Sequence, residues 1–243
     1  EKSHFGKDRS MIRRIIFFIV FSTFLIVLSV YAESGDSQVL IPGGKYNLGS
    51  YYCEEEQGNA DWCSDEVSHK VELGQFWIDK YEVSNADYRE CFIAGVCEPA
   101  VLHEDRPQDF NKPHQPVIFV NWEDARTYCS WRGGKLPTEW QWEAAAQGER
   151  LGGAYFRQPY DKGFPEDTGK FTANSNGLYD MMGNAYEWTL DWYESTGGTG
   201  KNKVVRGGSW NSAGHFLRIS DRVKKDPELR YSDVGFRCIK IKK

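Results

Sequence analysis

The sequence predicts an α+β domain, with a few short helices set among many short strands and long irregular loops. Three observations predict it. Glycine-rich turns separate segments too short for an alternating βαβ arrangement. Three stretches carry helix-start signals. No internal repeat, low-complexity tract or linker divides residues 33–243. With 243 residues and 40% hydrophobic content, the chain suffices for one large domain or two small ones.

Ahead of that domain stands "MIRRIIFFIVFSTFLIVLSVYA". Met11 is followed by Arg13 and Arg14, then an apolar run from Ile15 to Leu28 broken only by Ser22 and Thr23, then Ser29 to Ala32. Basic, apolar, then small residues is the order of a secretory signal, and cleavage is expected after Ala32. Residues 1–10 are expected to precede the true start at Met11. The alternative is an uncleaved anchor, which would be the domain's sole tie to a membrane. Either way residues 33–243 are expected outside the cytoplasm, in a periplasmic or extracellular space.

In chain order, "IPGGKYNLGS" reads as a strand with turns, and "GQFWIDKYEVS" as a strand of aromatic and β-branched residues. A helix follows in "SNADYRECFIAG", with Ser84 as N-cap, Asp87 three residues on, and Gly95 as the stop. A second helix starts near Asn121, carries Asp124 in its first turn and ends at Gly133 and Gly134. Thr138 and Gln141 form a capping-box pattern ahead of an alanine-rich helix that Gly148 ends. Beyond it the chain is loop-rich, with short strands expected near 186–192, 203–209 and 234–241.

The whole chain carries a net charge of −5, and removing residues 1–32 leaves −8. An acidic surface repels phosphate backbones, which argues against nucleic acid as a partner. All six cysteines lie in residues 33–243, and an even count in an exported protein reads as disulfides. Close spacing pairs Cys53 with Cys63 and Cys91 with Cys97, leaving Cys129 for Cys238. No CxxC occurs to suggest a metal or redox thiol site.

Five segments, in order, resemble the formylglycine-generating enzyme family, also called the sulfatase-modifying factor family. They are "IPGGKYNLGS", "FWIDKYEVSNADY", "PVIFVNWEDARTYCSWRGGKLPTEWQWEAAAQG", "GLYDMMGNAYEWTLDWY" and "VVRGGSWNS…VGFRC", spanning residues 39 to 240. The resemblance implies an irregular fold, related to C-type lectin-like domains and low in regular secondary structure. It also implies a disulfide at the positions of Cys129 and Cys238.

The segment "DMMGNAYEW" brings the Asp180 and Glu187 carboxylates to either end of a stretch whose alternate carbonyls share one side if extended. Hard cations such as calcium want oxygen ligands of this kind. The resemblance implies one structural Ca²⁺, and its ligand positions fall on Asp180, Gly183, Ala185 and Glu187. A second calcium site of the family has no clear match, because residues 152–172 depart from the pattern.

The family's reaction oxidises a substrate cysteine with O₂ at copper(I), which two thiolates hold. Those positions fall on Ser212 and, allowing for a gap, Leu217, and no cysteine lies between Cys129 and Cys238. Copper chemistry is therefore expected to be absent. His69, His103, His114 and His215 show no metal-ligand spacing. "GGSW" is not the G-x-S-x-G elbow of a serine hydrolase. What remains is a candidate recognition site of Trp210, Ser212, His215, Arg218 and Arg222, with Trp188 nearby. Aromatic faces and guanidinium groups suit a protein, peptide, glycan or anionic ligand. The expected function is an exported, calcium-stabilised binding or accessory module. The alternative is a periplasmic enzyme of the family using cysteine-independent chemistry to mature a protein or secondary metabolite.

Overall fold

The computed structural model describes residues 37–50, 66–148, 154–159, 161–194 and 199–241. The segment expected to be a leader, and the expected pair Cys53 and Cys63, lie outside the described residues. Three helices begin as local chemistry dictates. Helix α1 (Asn85–Ile93) is capped by Ser84, whose hydroxyl accepts the Asp87 N–H while the Asp87 carboxylate accepts the Ser84 N–H. Asn121 and Asp124 make the same reciprocal pair at the start of α3 (Trp122–Trp131). Thr138 and Gln141 do so at α4 (Glu139–Ala146). Each box satisfies two amide donors that a helix N-terminus otherwise leaves unpaired. Between α1 and α3 lies a single turn, α2 (Pro107–Phe110), with proline in its first turn.

The strand expected near 186–192 is present with those bounds, while those expected at 203–209 and 234–241 are shorter, the latter split in two. The antiparallel hairpin β2 (Gly44–Leu48) and β3 (His69–Leu73) stands by itself. Strands β1 (Gln38–Ile41), β4 (Phe76–Asp79) and β9 (Ile239–Lys240) make a three-stranded antiparallel sheet. A four-stranded sheet has the order β7 (Val223–Lys225), β6 (Lys203–Arg206), β5 (Tyr186–Trp192), β8 (Val234–Gly235), with β5 and β8 parallel. The expected strand at 203–209 ends at Arg206 because Gly207 and Gly208 both take positive φ, where a strand cannot continue.

Residues 38–243 form one unit. Its largest core cluster centres on Tyr88, Tyr128, Trp188 and Phe236, around a disulfide between Cys129 and Cys238. A second cluster gathers Phe76, Ile78, Trp142 and Ile239 between α4 and the three-stranded sheet. A third is small: Phe110, Ile118, Ala185 and Trp210. Cys91 and Cys97 are also bonded, closing the turn after α1. Among the described residues, two of the three expected disulfides are present, consistent with an oxidising compartment.

Candidate functional site

The turn after β6 carries the expected copper positions, and both are filled by other chemistry. Ser212 is buried, and its Oγ accepts the Ser209 N–H at 2.9 Å and lies 3.0 Å from the Ser209 Oγ. Ser209 Oγ in turn donates to Asn211 Oδ1 at 2.9 Å. Tyr186 completes this hydroxyl group; burial pushes its phenol up, while a hydrogen bond with Ser212 opposes that. Leu217, in the 3₁₀ turn Gly214–Leu217, is fully buried and packs over Gly208, where any Cβ would lie 2.5 Å from its Cδ2. A neutral hydroxyl and an aliphatic chain are not ligands for copper(I). Among the described residues no histidine hydrogen-bonds to Ser209 or Ser212, so neither hydroxyl has a base to activate it.

The remaining candidates separate. Trp188 and Trp210 are both fully buried core residues: their indole N–H groups donate to Val120 O at 3.1 Å and Ser232 O at 3.3 Å. Of the two roles open to these tryptophans, filling the core and recognising a ligand, the fold gives them the first, and each buried indole N–H finds an acceptor on backbone. The arginines are committed to carboxylates. Arg218 bonds Glu66 at 2.6 Å, and Arg222 bonds Glu139 through two nitrogens at 2.6 and 3.0 Å. Arg206 joins them, paired to Glu143 on α4. Three nearly buried glutamates, each paired to an arginine, line a cleft of about 330 Å³ together with Arg222, Trp140 and His69. Only His215 of the predicted set is exposed, its ring 4.1 Å from that of Phe216.

A second cleft, about 450 Å³, opens between Leu102, His103, Asp105, Phe119, Arg230 and Tyr231. An aromatic series connects its floor to the hydroxyl group: His103 stacks on Phe110 at 4.3 Å, and Phe110 meets Trp210 edge-on at 5.7 Å. Phe119 holds φ +56 there, fixed by its N–H to Tyr231 O and by Arg230 donating to its carbonyl. Such strain persists only where surroundings over-determine it. His103 Nδ1 accepts the Arg106 N–H at 3.1 Å, so in the neutral ring the proton sits on Nε2.

The predicted calcium ligands lie together, with a change of partner. Asp180 (φ +58), Gly183 (φ +88) and Asn184 (φ +60) bend the chain ahead of β5. Gly183 is obligatory, since a Cβ would lie 2.3 Å from Tyr155 O. Glu187 is wholly buried, and its carboxylate accepts three bonds from Arg237 at 2.7–2.9 Å and one from Trp142 Nε1 at 2.7 Å. These are three N–H groups, with Arg237 Nε shared between both oxygens, so each carboxylate oxygen accepts two contacts. Asp180 is different: Oδ2 accepts the Gly169 N–H at 2.6 Å, while Oδ1 is buried with no partner. Burial, with the Glu187 charge, holds its carboxyl up at about 6, against the Gly169 bond and Arg237. Glu82, which the sequence reading missed, accepts from Asn184 Nδ2 at 2.7 Å and Ala185 N–H at 3.1 Å. Burial first, then Asp180 and Glu187, push it well up. Of the three buried carboxyls around the Arg237 guanidinium, only Asp180 leaves an oxygen without a partner among the described residues, and such an oxygen would suit a hard dication. Glu187 could serve as a carboxylate ligand only by sharing oxygens with Arg237.

The model of the sulfatase-modifying factor enzyme 1-like domain matches residues 27–242. The chain belongs to that family. Inactive C-alpha-formylglycine-generating enzyme 2 of Bos taurus is 30% identical over 90% of this chain and 96% of that protein. The formylglycine-generating enzyme of Streptomyces coelicolor is 28% identical, covering 85% of this chain and 90% of its own. Among solved structures, PvdO from Pseudomonas aeruginosa superposes with a TM-score of 0.67 at 22% identity, over 83% of this chain and 93% of that one. Treponema denticola variable protein 1 gives 0.65 at 21%, over 83% and 94%. The loop-rich α+β fold expected from the resemblance is therefore the fold found. Within it, this sulfatase-modifying factor domain lacks the sulfur pair.

Proposed function

We propose that this chain is an exported binding or accessory module on a sulfatase-modifying factor scaffold, without copper-dependent formylglycine-generating activity. One observation carries the reading: the two thiolate positions hold Ser212, hydrogen-bonded to Ser209, and Leu217, packed on Gly208. The likeness to an inactive formylglycine-generating enzyme over nearly the whole chain supports it. Binding falls to the open cleft of Leu102, His103, Phe119 and Tyr231, whose aromatic floor and flanking Glu104 and Asp105 suit an extended peptide with apolar and basic side chains. The test is direct. Purified protein incubated with copper(I), O₂ and a cysteine-containing peptide is expected to give no aldehyde product by mass spectrometry and to retain no stoichiometric copper. Aldehyde formation would overturn the reading. Turnover of some other substrate without copper would favour the cysteine-independent enzyme instead.

Calcium belongs to the same proposal as a structural ion, with Asp180 Oδ1 and Glu82 as its charged ligands and the Gly183 and Ala185 carbonyls beside them. EDTA is expected to lower the melting temperature, and calcium to restore it. Asp180→Asn removes one buried charge. That variant is expected to melt higher than wild type in EDTA and to gain less from calcium. Identical melts with and without EDTA, together with no calcium by elemental analysis, would remove the ion from the account.

A further inference from the structure

Residues 152–172 are the stretch where this chain departs from the family pattern, and part of it packs against the segment that lost its sulfur. Arg157 N–H donates to Ser212 O at 3.1 Å, and Gln158 N–H to Trp210 O at 2.8 Å, so two successive amides of this irregular segment tie it to 210–212. Arg157 itself holds φ +58, the left-handed region that is unfavourable for any residue with a Cβ other than asparagine or aspartate. Its side chain gains little in return from the fold. It is exposed, and among the described residues no carboxylate lies within ion-pair distance of its guanidinium. That group sits 5.4 Å from the Phe156 ring centroid.

The opposite wall is shaped to leave the guanidinium room. A Cβ at Gly214 would lie 3.1 Å from Arg157 Nη2 and 3.5 Å from the Phe156 ring. Immediately after Gly214 come His215 and Phe216, both exposed, with rings 4.1 Å apart. A planar cation without an acidic partner among the described residues thus stands beside the Phe156 ring and across from Gly214, with the exposed His215 and Phe216 next in the chain. Arginine elsewhere in this turn is always spent on an acid: Arg206 on Glu143, Arg218 on Glu66 and Arg222 on Glu139. Backbone strain retained under an unpaired charge is the pattern of a recognition residue rather than a structural one.

We propose that Arg157, with Phe156, Gly214, His215 and Phe216, forms a recognition site for a carboxylate carried next to an apolar or aromatic group, as in an acidic peptide. The guanidinium would take the carboxylate through two parallel N–H bonds, and the rings would cover the neighbouring apolar surface. The inference rests on the binding-module reading but is tested apart from it, since neither copper nor aldehyde enters the readout.

The probe is phenylacetate, titrated into ¹⁵N-labelled protein and followed at the Arg157 Nε–H and the backbone amides of Gly214, His215 and Phe216. Saturable shifts in the millimolar range are expected at those four signals. The neutral isostere phenylacetamide is expected to bind at least tenfold more weakly, and inorganic phosphate likewise. Arg157→Gly separates recognition from folding: glycine relaxes the positive φ, so this variant is expected to melt higher than wild type while losing the phenylacetate response. Arg157→Lys is expected to keep a weakened response. Equal binding of phenylacetamide would show that the charge plays no part, and equal binding of phosphate that the rings play none. An unaltered titration in a folded Arg157→Gly protein would place the ligand elsewhere. Any of the three overturns the proposal.

Discussion

Replacing both Cys129 and Cys238 by alanine is expected to cost the domain about 4–5 kcal/mol in the loop-entropy model. The bond closes 109 residues of chain, and long closed loops restrict the unfolded ensemble most. It also fastens α3 to the segment between β8 and β9 in the middle of the largest core cluster. Against a total stability of about 5–15 kcal/mol for a typical domain, that is a third or more. The bond between Cys91 and Cys97, six residues apart, should matter less, about 2 kcal/mol by the same relation. Urea unfolding of the two double-alanine variants measures the difference. Equal losses would mean that both bonds act through local packing and that loop closure explains neither.

The contrast between those two bonds bears on what the sequence could reveal. Helix starts were legible because a capping box is local: Ser84 with Asp87, Asn121 with Asp124, Thr138 with Gln141. Strand pairing was not. Strand β4 meets β9 across some 160 residues, and β5 meets β8 through two-residue segments whose alternation cannot be read. The same distance hid the ionic partners. Arg218 was read as a candidate for an external ligand, yet its partner Glu66 stands 152 residues earlier. A sequence shows that an arginine is present but not which acid it will meet. Whether Trp210 fills the core or faces a ligand is likewise a long-range question, decided where Phe110 and Ile118 pack against it. The missing sulfur needed no long-range information, because absence of cysteine between 129 and 238 holds under any pairing. Arg157 was the opposite case. Nothing in "YFRQP" marks its positive φ, which arises only when the segment lies along Trp210–Ser212.

Arg237→Met is the substitution expected to do the most damage of any single change, about 3–5 kcal/mol, because it strands buried charge. The guanidinium is fully buried and makes three bonds to Glu187. It also donates to the carbonyls of Asp79, Lys80 and Tyr179 at 2.8–3.3 Å, tying the end of β4 to the loop before β5. Without it Glu82, Asp180 and Glu187 would repel one another in a site where burial already holds two of them up. Methionine fills the volume but supplies neither charge nor donors. If charge is the main loss, Glu187→Gln in the same protein should recover part of it, since glutamine still accepts the Trp142 N–H. The double variant would then be more stable than Arg237→Met alone, a coupling that a double-mutant cycle reads directly. Simple additivity of the two substitutions would mean that the lost carbonyl bonds dominate and that the carboxyl cluster does not depend on the cation beside it. Calcium sharpens the distinction: if the ion sits on Asp180 and Glu82, Arg237→Met should lean on it more heavily than wild type. Its melting temperature should then fall further on chelation, because the dication would be the last positive charge left among three acids.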